Sequence, residues 1–88
     1  MNAQVTIYRT AWCPFCQRAE SLLGSKNLKQ IEVIDIDEQP GERAKMVQRA
    51  GRTSVPQIFI NDEHVGGCDD LMALERAGRL DAMLSANA

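Results

Sequence analysis

The chain has 88 residues, 44% of them hydrophobic and 25% charged, a globular balance that excludes a disordered or fibrous class and predicts one domain over residues 1–88. Ten Lys and Arg against twelve Asp and Glu leave a net charge of −2, which disfavours a nucleic-acid partner, because phosphate contacts call for a basic surface. No apolar run approaches the ~20 residues of a membrane-crossing helix, and the first eight residues, Met1 to Tyr8, lack the basic and apolar regions of a signal peptide, so the expectation is a cytoplasmic protein without a membrane partner.

Val5 to Tyr8 alternates apolar and polar residues and reads as a first strand. From Pro14 the period changes. Phe15, Ala19, Leu22 and Leu23 fall on one helical face, with Pro14 in the first turn where its missing N–H costs nothing, and Gly24 to Asn27 close the helix. Ile31 to Ile36 is rich in β-branched residues and predicts a second strand, broken by Asp37 to Gly41. Glu42 to Ala50 predicts a helix with Met46, Val47 and Ala50 inward, ended by Gly51. Ile58-Phe59-Ile60 reads as a strand buried on both faces. Asn61-Asp62 is a turn, Glu63 to Val65 a short last strand, and Gly66-Gly67 a break. Leu71, Leu74 and Ala77 mark a helix beginning near Asp69, and Leu80 to Leu84 a final helical turn.

The order β-α-β-α-β-β-α predicts an α/β fold, a four-stranded mixed sheet covered by helices. Crossovers through two helices favour parallel neighbours, and the tight turn at Asn61-Asp62 makes the last two strands antiparallel.

Three cysteines, Cys13, Cys16 and Cys68, are too few and too odd in number for a disulfide scaffold. Cys13-Pro14-Phe15-Cys16 is a C-x-x-C unit, used either for redox exchange or as half of a zinc site. Zinc takes four ligands, and Cys13, Cys16, His64 and Cys68 supply that number. Against zinc, the second pair spans Gly66-Gly67 as H-x-x-x-C, and a helix begun by Pro14 holds the two thiols as a dithiol. Redox exchange is favoured. Cys13 at the helix start meets backbone N–H groups without internal partners, and these favour thiolate over thiol. Cys16, one turn on, is more enclosed. Cys13 is thus expected to be the nucleophile and Cys16 the resolving thiol.

Tyr8-Arg9-Thr10-Ala11-Trp12-Cys13-Pro14-Phe15-Cys16, Thr53-Ser54-Val55-Pro56 and Gly66-Gly67-Cys68-Asp69-Asp70 resemble, in order, the three motif stretches of glutaredoxins. The resemblance covers nearly the whole chain and is greatest to the short bacterial dithiol class, of glutaredoxin 3 type. It implies a thioredoxin-like fold and an enzyme, a glutathione-dependent thiol–disulfide oxidoreductase. Its partners would be glutathione and disulfide-bonded or glutathionylated proteins, and it would act as a monomer without metal. Pro56 is then expected to be cis, leaving the Val55 backbone free to hydrogen-bond an extended peptide such as glutathione. Gly67, the Cys68 backbone and the Asp69 side chain would hold the γ-glutamyl end, where helix amides attract a carboxylate and Asp69 pairs the ammonium.

Three positions depart from the family pattern. Thr10 stands where a lysine is usual, Phe15 where tyrosine is usual, and Ser54 where threonine is usual. Phe15 keeps a ring beside the site. Arg9 is the candidate replacement for the missing positive charge towards the glycyl carboxylate, with a solvated arginine as the alternative. Cys68 is expected to pack as a small apolar residue. His64 is expected to be solvated, as is the basic set Arg43, Lys45, Arg49 and Arg52, of which Arg52 is placed to steer an anion. Two other classes stay open: a zinc or glutathione-ligated iron–sulfur module, against which Pro14 argues, and a thioredoxin-like redoxin that uses another reductase.

Overall fold

The computed structural model describes residues 1–86, so the last two residues of the expected 1–88 domain lie outside the described residues. Strand β1 (Gln4–Arg9) turns Val5 and Ile7 to one face and Tyr8 to the other, all three buried. A strand apolar on both sides needs two covering layers, and the helices supply them. Helix α1 (Pro14–Gly24) opens with Pro14 in its first turn and turns Cys16, Ala19 and Leu23 inward. Phe15, expected on that inner face, is instead 54% exposed. It lies in the first turn, where it borders a surface cleft.

Strand β2 (Gln30–Asp35) runs parallel to β1. Helix α2 (Pro40–Ala50) starts two residues before the expected Glu42, because Pro40 fits the first helical position. Gly51 ends it at φ 68°, a left-handed cap whose N–H bonds the Val47 carbonyl at 2.8 Å. Strands β3 (Gln57–Ile60) and β4 (Glu63–Gly66) form the hairpin expected at Asn61-Asp62. Helices α3 (Cys68–Arg76) and α4 (Leu80–Ser85) complete the chain. No helix among the described residues is long and apolar enough to cross a membrane.

The sheet order is β2-β1-β3-β4. The expected parallel neighbours hold for β1 and β2 only; β3 is antiparallel to β1. The reason is distance. Helix α2 travels about 15 Å at 1.5 Å per residue, while Gly51 to Pro56, extended, reach as far as about 20 Å, long enough to return the chain to the end of the sheet where β2 left it. Strand β3 starts at that end, with Tyr8 opposite both Ile34 and Gln57. As a result the end of β1, the start of β3 and the end of β4 lie at one end of the sheet, and the loops carrying Cys13, Ser54–Pro56 and Gly67 converge there.

Leu23, Leu71, Leu80 and Leu84 pack with Val5, Ile7, Ile58 and Ile60 on one face; Met46 packs with Tyr8, Ile34, Ile36 and Phe59 on the other. Leu23 is fully buried. Leu23→Ala is expected to destabilise the protein by about 2–5 kcal/mol, through lost burial and the cavity left behind. Thermal unfolding should register this as a fall of about 10 °C or more.

Candidate active site

Trp12 adopts φ 59°, a left-handed turn that brings the chain round into α1. Its ring is 92% exposed, so it covers little of the site. Cys13 follows as the N-cap. Its Sγ accepts a hydrogen bond from the Cys16 N–H at 3.2 Å. The sulfur therefore occupies the place a capping oxygen would take, aimed at amides that lack helical partners. Cys13 is partly exposed and Cys16 is fully buried; both are free thiols.

Burial pushes the Cys16 thiol up to about 12, helped by its hydrogen bond to Cys13 and by the charges of Cys13 and Glu20. Cys16 is thereby kept protonated and out of reach, while Cys13 is the one of the two sulfurs open to the surface. Burial also raises the Cys68 thiol, with Asp69 and Cys13 adding to the shift and Arg18 opposing it. The side chain of Cys68 is packed into the core, as expected.

Beside the dithiol lies a cleft of about 220 Å³ lined by Phe15, Arg52, Ser54, Val55, Pro56, Gly67, Cys68, Asp69 and Asp70. Enclosed small-molecule sites run to about 300–1,000 Å³, so this one suits a ligand laid along the surface. The Val55-Pro56 bond is cis. Of the residues expected to contact glutathione, only Arg9 is missing from the lining. Its Nε lies 3.0 Å from Glu20 Oε2 and its Nη1 3.3 Å from Asp35 Oδ2. Arg9 thus joins β1 to α1 and β2, neither solvated nor in the cleft.

Positive charge reaches the cleft through Arg52. Its Nη1 donates to Asp70 Oδ2 at 3.2 Å. The same oxygen accepts from the Gly67 N–H at 2.9 Å, so Asp70 ties the start of α3 to the start of the loop after α2. The Gly67 amide and Arg52 hold the Asp70 carboxyl below its usual range. Gly66 has φ 121°, and a Cβ there would collide with Asp70 Oδ2, so the position requires glycine. Asp70 was quoted in the third motif stretch without a role in the site; its place at the third position of a helix opened by Gly67 was the available signal.

His64 corrects another expectation. It is half-buried rather than solvated, with Nε2 2.7 Å from Gln57 Oε1. Arg49, expected on a solvated face, donates to Tyr8 Oη at 2.9 Å and lies 4.0 Å from the Phe59 ring centre. Among the described residues no three His, Cys, Asp or Glu side chains group as metal ligands would. The Cys13, Cys16, His64 and Cys68 set is therefore not assembled.

The sequence and fold were compared with known proteins. A family model described as glutaredoxin matches residues 5–65. A glutaredoxin of Pseudomonas aeruginosa is 57% identical over 82 residues, covering 93% of this chain and 96% of that protein. Glutaredoxin 3 of Escherichia coli is 49% identical over 82 residues, covering 93% and 98%. Among solved structures, a buckwheat glutaredoxin–glutathione complex superposes with a TM-score of 0.84 at 29% identity, covering 98% of this chain and 83% of the other. The four-stranded mixed sheet is thus the thioredoxin-like fold, and the chain belongs to the glutaredoxin family of thiol–disulfide oxidoreductases.

Proposed function

We propose that the protein reduces protein–glutathione mixed disulfides and protein disulfides with glutathione as the electron donor. The observation that carries this is the cleft itself, which brings Phe15, Ser54, Val55, Pro56, Gly67, Cys68 and Asp69 together next to α1. Its chemistry suits a γ-glutamyl tripeptide. The start of α3 offers amides to a carboxylate. Asp69 offers a carboxylate to an ammonium. The Val55 backbone offers peptide hydrogen bonds, and Arg52, in place of Arg9, offers a cation to the second carboxylate. The proposal takes residues 1–88 as one domain working as a cytoplasmic monomer, and thiol–disulfide exchange requires no metal.

With a glutathionylated target, the Cys13 thiolate attacks the glutathione sulfur held in the cleft. The target's thiolate leaves and takes a proton from solvent, and Cys13 carries glutathione. The thiolate of a second glutathione then attacks that glutathione's sulfur, releasing glutathione disulfide and the Cys13 thiolate. With a protein disulfide, Cys13 forms a mixed disulfide with one target sulfur, and Cys16, losing its proton, attacks Cys13 Sγ. The target leaves as a dithiol, and two glutathione molecules reduce the Cys13–Cys16 disulfide.

The test is NADPH consumption with glutathione, glutathione reductase and a small glutathione mixed disulfide. Steady turnover by the purified protein is the expected result. Turnover that requires thioredoxin reductase and ignores glutathione would overturn the proposal.

A further inference from the structure

Gln57 opens β3 with a side chain that is fully buried. The remaining residues of that strand are Ile58, Phe59 and Ile60. An amide in such company is costly unless its hydrogen-bonding groups are met. Here its Nε2 donates to the Ser54 carbonyl at 3.0 Å and lies 3.3 Å from Ser54 Oγ. Its Oε1 faces His64 Nε2 at 2.7 Å.

The direction of this chain of bonds can be worked out. A carbonyl only accepts, so Ser54 fixes which end of the amide faces the loop. Gln57 must present its oxygen to the histidine, and His64 must donate from Nε2. His64 is held on β4 against the Phe59 ring, 5.0 Å between centres, with Arg52 and Asp70 as the charged groups that act on it. Nε2 keeps its hydrogen whether the ring is neutral or protonated, so the relay tolerates either state.

Neither Gln57 nor His64 lines the cleft; both stand behind the loop whose Ser54, Val55 and Pro56 do. Stability alone gives little reason for the pair, since apolar groups of similar shape at both positions are close to neutral. We propose that Gln57 and His64 are positioning residues: His64 orients the Gln57 amide, which grips the Ser54 carbonyl and so aims the Val55 backbone at the peptide part of glutathione. This rests on the glutathione proposal above.

The test compares wild type, Gln57→Leu, His64→Leu, the double variant and His64→Gln. It reads KM and kcat for the glutathione mixed disulfide, and the Ser54 carbonyl chemical shift without substrate. Gln57→Leu and His64→Leu are expected to raise KM about tenfold, or about 1.4 kcal/mol, with kcat within about twofold. Both should move the Ser54 carbonyl shift in the direction of a lost hydrogen bond. Because His64 acts through Gln57, the double variant is expected to match Gln57→Leu, the mark of a coupled pair. His64→Gln, which keeps a donor, is expected to restore KM.

A folded Gln57→Leu with wild-type KM and an unmoved Ser54 shift would overturn the inference. Should Gln57→Leu fail to fold, His64→Leu, farther from the core, decides the same point. A wild type without glutathione turnover would defeat the glutathione proposal separately, and the Ser54 shift, which needs no substrate, would still judge the relay.

Discussion

Cys13→Ser is expected to abolish turnover with a glutathione mixed disulfide, by about a thousandfold or more, while Cys16→Ser keeps most of it and loses the reduction of protein disulfides. The asymmetry follows from where the two sulfurs lie. Cys13 is partly exposed at the N-cap, with the Cys16 N–H aimed at its sulfur. Serine in its place forms the same cap but provides no thiolate. Cys16 is fully buried and is not needed when a second glutathione releases the first. A protein disulfide differs, because the mixed intermediate has no internal escape without Cys16. The two variants, assayed side by side with a glutathione mixed disulfide and with a protein disulfide, give four rates. Equal loss in both variants with the small substrate would exclude release by a second glutathione and make the Cys13–Cys16 disulfide obligatory.

Element types were legible in the sequence because they depend on local period. Val5 and Ile7, Ala19 and Leu23, and Ile58 to Ile60 are buried where their spacing places them. The direction of β3 was not, because period says which face a residue takes and nothing about which end of the sheet the chain enters. That depended on Gly51 to Pro56 being long enough to return the chain to the end where β2 left the sheet. The dithiol was legible for a different reason: a Pro14 start fixes Cys13 at a helix N-terminus whatever the rest of the fold does.

The charged residues divided along the same line. Arg9 was placed towards the cleft by elimination, since Thr10 carries no charge. Its true partners, Glu20 and Asp35, are on other elements and meet it only once β1, α1 and β2 are packed. Arg52 and Asp70 meet only because the start of the loop after α2 is brought against the start of α3. His64 reaches Gln57 across a hairpin whose register shifts between Ile58 and Phe59. Long side chains choose partners after the backbone is arranged, so the cleft-lining positions Val55, Pro56 and Gly67 were legible in the motifs, whereas the partners of Arg9, Arg52 and His64 were not.

Alkylation of the reduced protein at neutral pH is expected to label Cys13 alone and to leave Cys16 unmodified for as long as the fold persists. A thiol at about 12 in place of its ordinary 9.0 holds about a thousandfold less thiolate at neutral pH, and complete burial removes access as well. Two of the causes belong to Cys13: the hydrogen bond between the side chains and the Cys13 charge. Both disappear once Cys13 is bonded to a target sulfur, while the burial contribution remains. Cys16 is therefore held inactive in the resting enzyme and becomes more acidic only in the mixed disulfide, where a second thiolate is useful. The pH dependence of Cys16 labelling, followed by mass spectrometry in wild type and in Cys13→Ser, checks this. Labelling in Cys13→Ser should set in at lower pH than in wild type, because serine carries no negative charge. An onset at the same pH in both would assign the whole rise to burial and remove Cys13 from the control of its partner.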